Sequence, residues 1–135
     1  MSRTNSQDLG ALLLRVTLGA LFLVHAALKI FVFTIPGTVG FFMKLGLPGP
    51  LAYAVIALEV FGGLALILGV QTRIVSLLLA ADLVGAIATV HLANGFFFNA
   101  PGGGWEYPAF WAIMLVVQIL IGDGAYALSR SRTPA

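Results

Sequence analysis

Long apolar stretches, separated by short polar or Gly- and Pro-rich segments, set the pattern of the chain. Each of four stretches has about the 20 residues that a helix needs to cross about 30 Å of hydrocarbon. The pattern therefore predicts a single membrane domain over residues 1–135, with spans at about 9–29, 51–70, 74–92 and 107–128.

The segment 31–46 does not fit this pattern, because Pro36, Gly37, Gly40 and Lys44 interrupt its apolar run. Such a segment is typical of a short helix that lies at the level of the lipid headgroups. The predicted fold is thus all-α: a bundle of four transmembrane helices, with a short interfacial helix between spans one and two.

Composition strengthens the membrane assignment. Apolar residues make up 60% of the chain and charged residues 9%, against about 45–50% and about 25% in soluble domains. The bilayer is therefore the expected environment, and the net charge of +2 does not indicate nucleic acid as a partner. With no cysteine, disulfides, Cys-ligated iron–sulfur clusters, c-type haem and thiolate zinc sites are excluded.

The Lys and Arg positions predict the orientation. Arginines precede span one, lie between spans two and three, and follow span four, at Arg3, Arg73, Arg130 and Arg132. The loop between spans three and four has neither Lys nor Arg. Because basic residues collect on the cytoplasmic side, both termini are expected there.

Ionisable residues inside spans are costly and usually face the bundle interior. Arg15 and Asp123 fall at matching depths in spans one and four, which predicts a buried ion pair. Glu59 shares a helix face with Gly62 and Gly63, which would let a neighbouring helix approach the carboxylate closely. These residues fit internal pairs that fix helix packing.

A second polar group is expected near the outer boundary of the membrane. It comprises His25, Lys29, His91, Asn94, Glu106 and Tyr107. The functional interpretation is a ligand site that opens outward; the alternative for Lys29 is snorkelling to the interface. His25 and His91 have depths that would suit axial ligands of haem b, but no other haem cue is present and no metal motif is recognised.

Asp82 lies near mid-membrane, nine residues before His91, which places the two on opposite faces of an α-helix. Small residues at Gly85, Ala86 and Thr89 share the Asp82 face and would allow close helix approach. This face is predicted to be a subunit interface with another membrane protein or a second copy of the chain.

Ordered residues along nearly the whole chain resemble the DoxX family of small inner-membrane proteins. The first helix of the family is similar to Leu14-Arg15, Gly19, Phe22-Leu23, His25 and Lys29, and its second helix and turn to Glu59, Gly62-Gly63, Gly69 and Thr72-Arg73. The third helix and the next loop resemble Val90-His91, Asn94-Gly95-Phe96-Phe97 and Gly103-Gly104-Trp105-Glu106-Tyr107-Pro108.

The resemblance implies four membrane helices in a bacterial inner membrane and association with redox complexes that handle thiols or quinones. It points to Arg15, His25, Lys29, Glu59, Arg73, His91, Glu106 and Tyr107 as functional positions. The leading hypothesis is a subunit of a redox membrane complex, not a stand-alone enzyme, that contacts a quinone at the outer interface. The alternative is a structural or assembly subunit without its own chemistry.

Overall fold

A computed structural model describes residues 3–129 of the chain, and within that range it contains five α-helices and no strand. The helices are α1 (Arg3–Ala27), α2 (Ile35–Lys44), α3 (Leu51–Leu68), α4 (Thr72–Ala86) and α5 (Glu106–Ile121). The predicted all-helical class is therefore confirmed. Three helical stretches are long and apolar enough to cross a membrane, at Asn5–Val32, Leu51–Leu68 and Thr72–Asn94. α5 is apolar but shorter, with 16 residues.

The four longer helices form a ring in which α1 packs on α3, α3 on α4, α4 on α5 and α5 on α1. Glycines make two of these contacts close. A Cβ added at Gly19 would lie 2.5 Å from the carbonyl oxygen of Gly63, and one at Gly62 would press on Leu79. Gly62 and Gly63 thus bring α3 against α4 and α1, since any side chain there would push the helices apart.

The centre of the ring is a compact apolar layer. Its most deeply buried side chains are Leu18, Phe22, Leu66, Leu79 and Leu115. Leucines and phenylalanines also cover the outside, where Leu13, Phe61 and Leu120 are at least two-thirds exposed. An apolar exterior around an apolar core suits hydrocarbon and not water.

We name the two ends of the ring by their connections. The turn end holds the α3–α4 turn, in which Gly69 (φ 77°) and Gln71 (φ 49°) are left-handed. The loop end holds the α4–α5 connection, residues 95–105. α5 stops at the turn end, where Gly122 turns the chain with φ 78°, so the helix is shorter than the predicted span 107–128. Arg130 and Arg132 lie outside the described residues.

Two helices change their winding towards the loop end. α1 continues as a π-helical turn over Leu28–Val32, and α4 as another over Ile87–His91. A π-turn holds more residues per turn than an α-helix, so it rotates the residues that follow. The predicted opposition of Asp82 and His91 assumed α-helical winding throughout, whereas Ile87–His91 is π-helical.

The segment predicted to be interfacial is the helix α2, which packs on α3 and on the first π-turn. Thr34 (φ 65°) separates α2 from that turn, and its hydroxyl oxygen accepts a hydrogen bond from the Gly37 amide. Thr38 is the buried residue of α2, and its hydroxyl reaches the carbonyl oxygen of Lys29 at 3.0 Å. The short helix thereby holds the end of the first span in place.

Candidate functional site

The polar residues at the loop end converge on one main-chain carbonyl. Nδ1 of His91 lies 2.9 Å from the Gly103 oxygen, and the Asn94 amide donates to the same oxygen at 3.0 Å. The Tyr107 hydroxyl lies 3.4 Å from the other nitrogen of His91, and the two rings meet edge to face. Of the predicted outer set, His91, Asn94 and Tyr107 are therefore brought together.

The fold of the 95–105 loop makes this meeting possible. Gly102 and Gly103 have φ values of 81° and 83°, which residues with side chains rarely adopt. Gly104 packs so closely on the carbonyls of Phe96 and Phe97 that a Cβ there would overlap them. The loop thus folds back and sets the first turn of α5 beside His91.

An open cavity of about 560 Å³ adjoins this group, lined by Phe98, Gly102, Gly103, Glu106 and Tyr107. It combines an apolar ring, a carboxyl group and a phenol with nearby main chain. A flat ring with polar substituents matches such a lining, since small-molecule sites are mostly apolar with a few polar groups that fix orientation.

His25 belongs to a different environment. Its Nδ1 lies 2.9 Å from the Leu21 oxygen of its own helix, and its ring packs on Trp111 of α5 at 4.7 Å. Trp111 also packs on Phe22 at 4.4 Å. The two histidines thus have separate partners. Within residues 3–129, no group of three or more His, Cys, Asp or Glu is placed to hold a metal ion.

Lys29 likewise has its partner outside the group formed by His91, Asn94 and Tyr107. It forms a salt bridge with Glu59, whose side chain is 3% exposed, while that of Lys29 is 24% exposed. Asp82 on α4 lies near enough to be repelled by Glu59 and attracted by Lys29. The first π-turn, α3 and α4 therefore share a cluster of one ammonium and two carboxyl groups, the ionic cluster.

Arg15 is fully buried at the turn end and binds main-chain carbonyls. Its Nε donates to the Asp123 oxygen at 2.9 Å, and its Nη1 donates to the oxygens of Leu66 and Ile67 at 2.9 and 3.2 Å. The predicted partners thus meet through the Asp123 carbonyl oxygen. Arg73 similarly donates to the Ile119 oxygen at 3.0 Å. Both arginines satisfy carbonyls at helix ends, where such groups lack intrahelical partners.

Comparison with known proteins supplies the family. The DoxX family model matches residues 10–92. The chain belongs to the DoxX family. The Bacillus subtilis protein "Putative oxidoreductase CatD" is 44% identical over 95 residues, which cover 70% of this chain and 69% of that protein. An uncharacterised protein of Haemophilus influenzae is 27% identical over 117 residues, covering 85% of this chain and 84% of its own. No solved structure matches.

In this DoxX chain, the face predicted to bind a partner is only partly free. Asp82 belongs to the ionic cluster, and the Thr89 hydroxyl donates to the Gly85 oxygen of its own helix at 2.8 Å. Gly85 and Thr89 are exposed, whereas Ala86 is half-buried. A Cβ added at Gly85 would meet nothing within 4 Å.

Sequence reasoning missed several buried polar side chains of this DoxX chain. Four of them have a buried polar atom without a hydrogen-bond partner among the described residues. These atoms are the side-chain oxygens of Thr72, Ser76 and Gln118 and the indole nitrogen of Trp111. Helical spacing was an available signal for Thr72 and Ser76, which lie four residues apart on α4 and share a face. The Gly103 carbonyl had no such signal, since only the folded loop places it.

Proposed function

We propose that this DoxX protein is an integral subunit of a redox-type membrane complex in the bacterial inner membrane and contacts a quinone at its loop end. In this proposal all four longer helices span the bilayer, with both termini cytoplasmic and the loop end outside. Basic residues favour that orientation, because the 95–105 loop has neither Lys nor Arg. α2 lies at the outer interface.

The carrying observation is the group formed by His91, Asn94 and Tyr107 beside the open cavity. Aromatic walls and a few fixed polar groups suit a quinone ring, which offers two flat faces and oxygen atoms at its edge. The similarity to a relative named as an oxidoreductase agrees with redox chemistry. Quinone binding by this chain can be tested without knowing which complex the chain belongs to.

Binding is tested with the purified protein in lipid nanodiscs. The 1,4-naphthoquinone and naphthohydroquinone couple is titrated by calorimetry, with empty nanodiscs correcting for partition into lipid. We expect saturable binding that His91→Ala weakens about tenfold or more, while Leu13→Ala, on the exposed side of α1, does not. If either form binds the wild type and His91→Ala equally well, the proposed site is wrong. Pull-down in mild detergent, with mass spectrometry and an absorption spectrum, tests complex membership.

The second candidate is a structural or assembly subunit. The α4 face of Asp82, Gly85, Ala86 and Thr89 favours it, because an exposed Gly85 leaves room for another helix to approach. Here the partner is another membrane subunit or a second copy. Asp82→Asn should then weaken association while the monomer stays folded, as native mass measurement in gentle detergent would record.

A further inference from the structure

The hydrogen bonds at the loop end fix which groups donate. A carbonyl oxygen accepts only, so the Nδ1 of His91 that faces the Gly103 oxygen carries the hydrogen. In the neutral imidazole, Nε2 is then an acceptor. The Tyr107 hydroxyl, 3.4 Å away, therefore donates its hydrogen to His91. The Asn94 amide reinforces this arrangement by also donating to the Gly103 oxygen.

This arrangement leaves the cavity with acceptors. The Tyr107 oxygen has committed its only hydrogen to His91 and offers lone pairs to anything in the cavity. The neighbouring Glu106 carboxylate is an acceptor only. Both functional side chains that line the cavity thus call for a ligand that donates.

We infer, on the basis of the proposed function, that the site selects the reduced, dihydroxy form of a quinone-type ring over its diketone form. The hydroxyl groups of a hydroquinone donate to the Tyr107 oxygen and the Glu106 carboxylate. The diketone has only acceptor oxygens and leaves both protein groups without a partner. Tyr107 is exposed and Glu106 half-buried, so each gives up water when a ligand binds. An acceptor that loses water and gains no donor costs binding free energy, so a difference in affinity follows.

For a diketone to bind equally well, the Tyr107 hydroxyl must turn away from His91 and donate to the ligand. That rotation leaves Nε2 of His91 without its donor, so the new hydrogen bond is gained at the loss of another. The Glu106 carboxylate would still face a ligand oxygen, which repels it. The selection therefore rests on the fixed orientation of His91.

The test compares the dissociation constants of 1,4-naphthohydroquinone and 1,4-naphthoquinone under anaerobic conditions, with the full chain in nanodiscs. We expect the hydroquinone to bind about tenfold more tightly or better, a hydrogen bond to a charged or fixed group being worth that much. Tyr107→Phe should weaken hydroquinone binding and leave quinone binding within about twofold. Tyr53→Phe, at an exposed tyrosine of α3, is the matched control and should change neither.

Glu106→Gln is the second variant, because the amide keeps the shape of the side chain and supplies a donor. It should reduce the preference for hydroquinone over quinone, and it tests the inference even if Tyr107→Phe does not fold. His91-dependent binding with equal or tighter affinity for the quinone would overturn the inference and leave the proposed function standing. If neither form binds in a His91-dependent way, both the inference and the proposed function are wrong. A preference unchanged in Tyr107→Phe and Glu106→Gln would also overturn the inference.

Discussion

Arg15 and Asp123 are 108 residues apart, and the Nε of the first donates to the main-chain oxygen of the second at 2.9 Å. The same guanidinium binds the carbonyl oxygens that end α3. Arg15 therefore ties three parts of the chain together: the first helix, the end of the second span and the segment after α5. The acceptors of these three hydrogen bonds are main-chain oxygens, which no side-chain substitution removes.

Arg15→Leu should lower the free energy of unfolding by about 3 kcal/mol or more, since it leaves buried carbonyls without a donor. Arg15→Lys should recover little, because one ammonium cannot replace the guanidinium fork. Thermal unfolding in detergent measures both. Adding Asp123→Leu to Arg15→Leu should restore stability only in part, because it removes a buried carboxylate that has lost its cation while the carbonyls stay unpaired. A double variant as stable as the wild type would contradict this arrangement.

The ionic cluster predicts unequal effects for its two best-paired members. Lys29→Met leaves Glu59 and Asp82 as two carboxyl groups without a cation, whereas Glu59→Gln leaves Lys29 with Asp82. We expect Lys29→Met to be more destabilising than Glu59→Gln by about 2 kcal/mol, since unpaired charges are costly inside a membrane protein. The free energies of unfolding of both variants, measured in the same detergent, test this. If Glu59→Gln is the more destabilising, the three residues do not form one cluster.

Orientation is tested by single cysteines, because the natural chain has none. Gln71 at the turn end and Asn99 in the loop are both exposed. On intact cells an impermeant maleimide should label a cysteine at Asn99 and not one at Gln71, until the membrane is permeabilised. External labelling at Gln71 would reverse the proposed topology, and equal labelling at both would contradict four spans.

The two histidines should behave differently. His91 contacts the Gly103 carbonyl and Tyr107 at the cavity, whereas His25 contacts its own helix and Trp111. In a complementation assay, His91→Ala should abolish most function at normal protein levels, and His25→Ala should have the smaller effect. If His25→Ala impairs function as strongly, the site extends to α1 in a way that the hydrogen bonds do not indicate.

Depth along the membrane was readable from the sequence, while rotation about each helix was only partly so. A rise of about 1.5 Å per residue was enough to bring Arg15 to Asp123. The opposite faces predicted for Asp82 and His91 assumed α-helical winding, and apolar patterning does not distinguish a π-turn such as Ile87–His91 from that winding. The convergence of His91 and Asn94 on the Gly103 carbonyl could not be predicted from the sequence either. It depends on main-chain bonds within the loop, such as Glu106 N to Phe96 O at 3.0 Å, which side-chain patterns do not encode.

Thr38 and Thr72 offer a matched test of the buried hydroxyls. Both are nearly fully buried, but the Thr38 hydroxyl lies 3.0 and 2.9 Å from two carbonyl oxygens, whereas that of Thr72 has no partner among residues 3–129. Valine has nearly the shape of threonine without the hydroxyl. Thr38→Val should therefore destabilise by about 1 kcal/mol, and Thr72→Val should be neutral or stabilising.

The comparison of Thr38→Val with Thr72→Val, by thermal unfolding in one detergent, also tests the environment at the turn end. Ser76→Ala should follow Thr72→Val, because its hydroxyl is buried and unpartnered in the same way within the described chain. If instead Thr72→Val and Ser76→Ala both destabilise as much as Thr38→Val, the two hydroxyls hold ordered water between α4 and its neighbours. Bound water commonly satisfies such groups and is costly to displace.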